Sequence, residues 1–225
     1  MRTGLFAAGY AAIAMSFTLH APLSAQEAGD FQVKLFGTMV DPDGAIDDVE
    51  LDAIGLPAGT DTRADTNYVP TIAAEYFVSP NISLETICCV TQHDVVGTGP
   101  LAGAGLVANA NIVPATISVK FHPLPNAAIR PYVGVGPTYF IFIDEQPGAA
   151  TRALGATRQH LSDELGFALQ AGVDIPLGER FGLSIDAKRY FVSTTARWFA
   201  GNTEVLRTRH ELDPWVVSAG VSFRF

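Results

Sequence analysis

Apolar and polar positions alternate along the last eleven residues, 215–225. Trp215, Val217, Ala219, Val221, Phe223 and Phe225 are apolar, with Ser218, Gly220, Ser222 and Arg224 between them. A period of two with one greasy face and one small or polar face predicts a β-strand ending on an aromatic residue. Seven earlier runs alternate in the same way, over residues 31–40, 68–78, 82–93, 112–121, 130–143, 163–175 and 181–192. Ser79-Pro80-Asn81, His122-Pro-Leu-Pro-Asn126 and Pro176-Leu-Gly178 join three pairs by short turns. The remaining connections, 41–67, 94–111, 144–162 and 193–210, are long and polar or rich in Gly and Ala.

Short and long connections therefore alternate. A soluble domain seldom carries four such loops, whereas outer-membrane barrels have short periplasmic turns and long extracellular loops. The expected fold class is all-β, an eight-stranded antiparallel up-and-down transmembrane β-barrel with both ends on the periplasmic side. No repeat of 20–50 residues points to a propeller or solenoid.

Residues 1–25 read as an export signal. Arg2 supplies a thin positive start, 5–19 an apolar run, and Leu23-Ser24-Ala25 a small-residue cleavage region. Residues 26–225 are then one barrel domain in the bacterial outer membrane. The chain holds 14 Lys and Arg against 23 Asp and Glu, a net charge of −9, which speaks against a nucleic-acid partner. The stretch 101–119 is uncharged but diluted by Asn109, Asn111 and Pro114, a weak helical span. Strands must do any crossing, and only a closed sheet satisfies its backbone in lipid. The expected partners are the lipid bilayer and, through Phe223 and Phe225 as an insertion signal, the outer-membrane assembly machinery.

The uncharged face of each run is assigned to lipid, for example Tyr68, Ile72, Ala74, Tyr76 and Val78. The opposite positions sort by depth. The periplasmic half of the lumen collects Lys34, Glu75, Glu85, Lys120, Arg130, Gln170, Asp174, Asp186 and Arg224. Four basic and four acidic groups in a narrow interior must pair, and eight strands enclose little more than their own side chains. These residues are expected to plug the base.

The outer half of the lumen gathers Phe36, Val40, Val69, Ile87, Ile112, Pro114, Phe140, Phe142, Val192 and Val216. This set reads either as a vestibule for small hydrophobic solutes or as packing for folded-in loops. Pro70 and Pro114 cannot donate to a ladder, and together they mark a possible lateral opening near residues 87–91. Arg189 falls on the lipid face of the seventh run, which points to a bulge that shifts Tyr190 and Val192.

These residues resemble the OmpW family of outer-membrane barrels. The matching stretches are Tyr76-Phe77 with Asn81, Pro131-Tyr-Val-Gly-Val-Gly136 with Tyr139-Phe140, Gly172-Val-Asp174, and Asp213-Pro-Trp-Val216 before Phe225. Val113-Pro-Ala-Thr116 departs from the family's Leu-Pro-Pro-Thr. The resemblance implies an eight-stranded barrel with a narrow hydrophobic channel that passes small apolar molecules sideways into the membrane.

Other chemistry is weakly marked. Some eight-stranded barrels are lipid A deacylases, but their Phe-x-His-x-Ser pattern does not occur here. His160 with Ser162 and Asp163, and His210 with Glu211 and Asp213, have hydrolytic residue types, and rim histidines are usually solvated. A metal site from His93, Asp94, His160 and His210 rests on composition alone. Adjacent Cys88 and Cys89 face opposite sides of a strand and are poorly placed to form a disulfide. Acidic residues of the first loop (Asp41, Asp43, Asp47, Asp48, Glu50, Asp52, Asp61 and Asp65) read as a solvated face. Gly134 and Gly136 lack the strand-to-helix setting of a phosphate loop and make room for bulky neighbours. No cofactor, metal or catalytic residue is expected. Uptake of hydrophobic solutes is the leading reading. A structural or adhesive barrel whose loops bind host molecules or ions is the alternative, and a soluble lipocalin-like barrel is a third.

Overall fold

Strand alternation continues well past the runs marked in the sequence. The structure, a computed structural model, describes residues 26–225; the expected export signal at 1–25 lies outside the described residues. In chain order the strands are β1 (Phe31–Asp41), β2 (Ala45–Asp52), β3 (Asp61–Ala64), β4 (Asn67–Ser79), β5 (Ile82–Cys88), β6 (Thr91–Thr98), β7 (Leu106–Phe121) and β8 (Arg130–Pro147). A short helix α1 (Ala149–Ala153) follows, then β9 (Arg158–Leu161), β10 (Glu164–Pro176), β11 (Phe181–Phe191), β12 (Ser193–Ala200), β13 (Thr203–Glu211) and β14 (Trp215–Arg224).

The wall runs β1, β4, β5, β7, β8, β10, β11, β14, with every neighbour antiparallel. It closes where β14 returns to β1, with Gln32 opposite Arg224 and Asp41 opposite Trp215. The fold is a closed eight-stranded barrel, as the alternation indicates. Closure pairs the two chain ends, so the barrel has no free edge.

The burial pattern assigns the faces. Leu35, Ile72, Tyr76, Ile117, Val133, Leu169, Ile185 and Val221 are exposed around the outside. Lys34, Glu75, Thr116, Ala168 and Ser218 are buried inside. So broad an apolar exterior is tolerable only when covered, and lipid covers it. Tyr68 and Trp215 lie at the outer end of this belt, Phe31, Phe181 and Phe225 at the inner end, forming the two aromatic girdles of a membrane barrel. Among the described residues, no helix is long and apolar enough to cross a membrane.

Two sequence expectations need correction. The connection 193–210 is not an irregular polar loop. Thr194, Ala196 and Trp198 alternate with outward residues, as do Leu206, Thr208 and His210. This period of two folds the segment into the β12–β13 hairpin, turned at Gly201 with φ of 62°. With β2 and β9 it forms a second sheet, in the order β2, β13, β12, β9. At about 3.3 Å per residue, the 18 residues of β8 run about 60 Å, far more than a hydrocarbon core requires. The strands therefore continue outward, and this second sheet completes an extracellular extension.

The second correction concerns the bulge at Arg189. The β10–β11 and β11–β14 registers carry no shift, and Tyr190 and Val192 are buried inward. Arg189 remains on the outer face, 3.7 Å from Asp213 and 5.5 Å from the Trp215 ring. A long side chain at the girdle carries its charge to the interface without disturbing the ladder.

Candidate functional site: a layered lumen

The lumen is built in layers, and alternation dictates which side chains enter each. At the periplasmic rim Arg224 stands 3.6 Å from Asp30 and 5.7 Å from the Phe77 ring. Arg130 faces Asp174 across the β8–β10 register and lines the same basin.

An ionic network fills the next layer. Lys34 Nζ lies 2.8 Å from Glu75 and 3.0 Å from Asp174. Lys120 Nζ lies 2.9 Å from Glu75 and 2.8 Å from Glu85. Lys188 Nζ lies 2.6 Å from Asp186 and 3.2 Å from Glu85. Gln170 Nε2 ties the halves together by donating to Glu85 at 2.8 Å and Asp186 at 2.7 Å. Lys34, Lys120 and Lys188 thus meet four carboxylates, with Arg130 as a fourth cation at the lower edge. Such a layer is tolerable in a membrane only because its charges satisfy one another.

Three members escaped the sequence reading: Lys188, Tyr132 and His122. Tyr132 donates its hydroxyl to Asp186 at 2.8 Å and lays its ring 3.7 Å below Lys120 Nζ. His122 Nε2 stands 2.9 Å from Ser83, which donates to Glu75. The signal was present for two of them, since Lys188 lies two residues after Asp186 and Tyr132 two after Arg130. The Tyr132 ring occupies the space above Gly172, its register partner. A Cβ at Gly172 would fall on that ring. Gly134 likewise leaves room for Lys120 and Gln170.

Hydroxyl groups form a thin layer above. Thr38 and Ser218 are 2.9 Å apart, and Thr116 and Thr138 are 2.7 Å apart. Apolar side chains follow. Val40, Ile112, Phe140, Phe142, Val192 and Val216 pack into one cluster with Ala110, Ala168, Tyr190 and Leu212, and Val69 packs against it. Phe36 and Ile87 form a smaller cluster with Ala73. Pro114 and Ile87 line a small cavity beside Cys89, Phe140 and Tyr190.

That cavity adjoins a second, larger one within the extracellular extension. Ile112, His93 and Leu212 line both, while Val107, Trp198 and Leu206 wall the upper one. Two histidines face it, each satisfied locally. His93 Nδ1 is 2.7 Å from the Asp65 carbonyl, and His210 Nε2 is 2.7 Å from Thr208 Oγ1. Burial pushes the His210 imidazole below its ordinary pKa, against the opposite pull of the Gly44 carbonyl. Alternation at 194–198 and 206–210 was the missed signal for this cavity.

The hydrogen-bond ladder of the wall beside the lower cavity is interrupted. The β4–β5 ladder stops at Ile72 opposite Cys88 and resumes, between β3 and β6, at Ala64 opposite Val95. Between these points Asn67 Nδ2 reaches across to the Gln92 carbonyl at 2.7 Å. Cys89 and Val90 belong to no strand. Extending the β5–β7 register places Cys89 beside Pro114, and extending β4–β5 places Val90 beside Pro70. Neither proline can donate a ladder hydrogen bond. Cys89 faces the lumen and Cys88 is exposed, both as free thiols.

The remaining candidates do not assemble. His160 Nδ1 is 3.3 Å from Glu145, and Ser162 donates to Glu164 rather than to a histidine. Asp163 accepts from the Phe142 amide and Asp213 from the Val192 amide. Among the described residues, no group of three or more His, Cys, Asp or Glu side chains is placed to hold a metal. At the chain end Phe223 packs edge-on against Phe181 and Phe225, and the Phe225 amide donates to Phe31.

A family model described as OmpW matches residues 27–225. The chain belongs to the OmpW family. It is 27% identical over 208 residues to outer membrane protein W of Vibrio cholerae, covering 91% of this chain and 93% of that one. It is also 27% identical over 172 residues to outer membrane protein AlkL of Ectopseudomonas oleovorans, covering 76% and 72% of the two chains. The crystal structure of OprG from Pseudomonas aeruginosa superposes with a TM-score of 0.79 at 26% identity, over 89% of this chain and 98% of that one. This OmpW-family barrel is therefore a protein of the bacterial outer membrane.

Proposed function

We propose that the barrel takes up small hydrophobic molecules from outside and releases them sideways into the membrane. The observation that carries this reading is the break in the wall between β4 and β6, which adjoins an apolar cavity whose floor is filled by ions. A solute in the upper cavity loses contact with water, gaining about 25 cal/mol per Å² of apolar surface buried. Passage downward would force it through Lys34, Lys120, Lys188 and their partners. The route of lowest cost passes Ile87 and Cys89 into lipid, between Pro70 and Pro114. Phe223 and Phe225 offer the assembly machinery an exposed aromatic strand end. No catalytic residue is assigned.

Replacing both prolines, Pro70→Val and Pro114→Val, restores two ladder donors and narrows the break. Uptake of an apolar fluorescent probe by intact cells should fall about tenfold, the effect of about 1.4 kcal/mol on the barrier. Unchanged uptake at equal protein level would refute lateral release. The alternative, an adhesive barrel, requires a mouth filled by loop side chains, and the apolar cavity left between Val107, Trp198 and Leu206 counts against it.

A further inference from the structure

The two cavities above the ionic layer differ in how their polar side chains are occupied. In the upper one the hydroxyls of Thr60, Thr62, Thr151 and Thr194 each donate to a backbone carbonyl at 2.7–2.9 Å. Thr208 is held by His210 at 2.7 Å, and His93 lies between the Asp65 carbonyl at 2.7 Å and Thr91 Oγ1 at 3.0 Å. The indole of Trp198 is the one further side-chain donor lining this space.

At the foot of the lower cavity the hydroxyls are not committed. Tyr190, 1% exposed, lines this cavity and meets the Phe140 ring edge-on at 5.5 Å. Among the described residues its hydroxyl has one hydrogen-bonding neighbour, Thr116 Oγ1, at 3.5 Å. An ordinary hydroxyl pair is closer, at roughly 2.7–2.8 Å, and Thr116 is already held by Thr138 at 2.7 Å. Thr71 is the second such group. It points inward from β4 at 1% exposure, and its Oγ1 has no partner among the described residues. Extending the β4–β5 register sets Thr71 beside Cys89, which lines the cavity. The Cys89 thiol adjoins both Thr71 and Tyr190 without reaching hydrogen-bond distance of Thr71, and a thiol is a weak donor and acceptor. Buried polar groups are nearly always hydrogen-bonded, so two under-bonded hydroxyls beside one apolar cavity call for a partner that arrives with the ligand.

Charge narrows the chemistry of that partner. Lys188, two residues below Tyr190 on β11, is 2.6 Å from Asp186 and 3.2 Å from Glu85, so it is not free to neutralise an anionic head. An ionised carboxylate buried here would be unpaired and strongly disfavoured. A neutral oxygen loses far less on leaving water and recovers it from the two hydroxyls. The chain of such a solute has room above, since Ile112, His93 and Leu212 line both cavities.

We infer that the lower cavity seats the single uncharged oxygen of an otherwise hydrocarbon solute: an alcohol, aldehyde or ketone. Tyr190 and Thr71 are its hydrogen-bond partners, and the chain rises into the upper cavity. This names the substrate class of the uptake proposed above and rests on that reading. A site built to hydrogen-bond one oxygen discriminates against analogues that lack it.

The test uses the barrel in lipid nanodiscs, labelled at tyrosine Cζ and at isoleucine methyls. It titrates 1-octanol against n-nonane, which matches it in heavy atoms, with each ligand expressed as its mole fraction in the bilayer. Both should shift the Ile87 and Ile112 methyls, while 1-octanol alone shifts Tyr190 Cζ. Tyr190→Phe and, separately, Thr71→Val should each weaken 1-octanol binding about threefold to tenfold, as one modest hydrogen bond gives. Both variants should leave n-nonane binding unchanged. Ionised octanoate should bind at least about tenfold more weakly than 1-octanol. Trp198→Phe should alter the two ligands alike. Equal loss of alcohol and alkane in the Tyr190 variant overturns the inference, as does alcohol binding unchanged in both variants or octanoate binding as tightly as the alcohol. Selective loss of the alcohol in Trp198→Phe places the oxygen in the upper cavity and overturns it too. Failure of both ligands to shift the isoleucine methyls removes the uptake reading and the inference with it, whereas shifts without discrimination remove the inference alone.

Discussion

The lower and upper halves of the lumen share one wall and one rule of alternation, yet are filled in opposite ways. Below, Lys34, Lys120 and Lys188 are locked to Glu75, Glu85, Asp174 and Asp186 within 2.6–3.2 Å. Above, Val40, Ile112, Phe140 and Val216 meet around open space. An ionic layer resists entry because any intruder must separate charges already paired in a low-dielectric interior. An apolar layer yields, since weak dispersion contacts are readily exchanged for those of a solute. The lumen is thus filled below by paired charges and lined above by apolar side chains around a cavity.

The largest effect should come from breaking the lower half. Glu85→Leu leaves Lys120 and Lys188 short of a partner each, a change that typically costs about 3–5 kcal/mol. Urea unfolding in lipid vesicles, read by loss of the heat-modifiable folded band, should show the drop. Placing a charge in the upper half is the converse change. Phe140→Asp should cut apolar-probe uptake by at least about tenfold, since an unpaired buried carboxylate costs several kcal/mol. It should not open the base to ions in planar-bilayer recordings.

How far each half was legible follows from how its signal is written. Closure, strand number and inward parity follow from a period of two, and the central ionic residues could be placed by counting depth along each run. Lys188 was lost because doubt over the register at Arg189 extended to its neighbours. Tyr132 was lost because its partner cleft, at Gly172, is a feature of two strands far apart in sequence. The upper cavity was hardest to read. Trp198, Leu206 and His210 lie in short hairpins among turn residues, and only their pairing with β2 and β9 makes them a wall. The break at Cys89 and Val90 was legible as two prolines, but its extent depends on where the ladder resumes at Val95.

Smaller changes sharpen the contrast. Gly172→Ala should displace the Tyr132 ring and cost about 1–3 kcal/mol by overpacking, measured as a lower urea midpoint with uptake retained. Acidification should act on the upper half alone. The folded pKa of His210 lies below its unfolded value, so between the two the unfolded segment binds more protons. Its contribution is complete above the unfolded pKa and is lost as pH falls towards the folded one. The protection of β13 amides against hydrogen exchange, taken relative to the intrinsic rate at each pH, should therefore fall from pH 7 to pH 5, while that of barrel amides near Lys34 stays constant. His210→Phe should remove that pH dependence.

A nitroxide-tagged alkane added to isotope-labelled barrel in lipid nanodiscs reports directly on where an apolar solute resides. If the upper lumen receives it and the ionic layer bars it, methyl signals of Ile112, Val40, Val216 and Ile87 broaden, while those of Lys34 and Lys188 side chains stay sharp. Equal broadening throughout the lumen, or none above the ionic layer, would contradict this account.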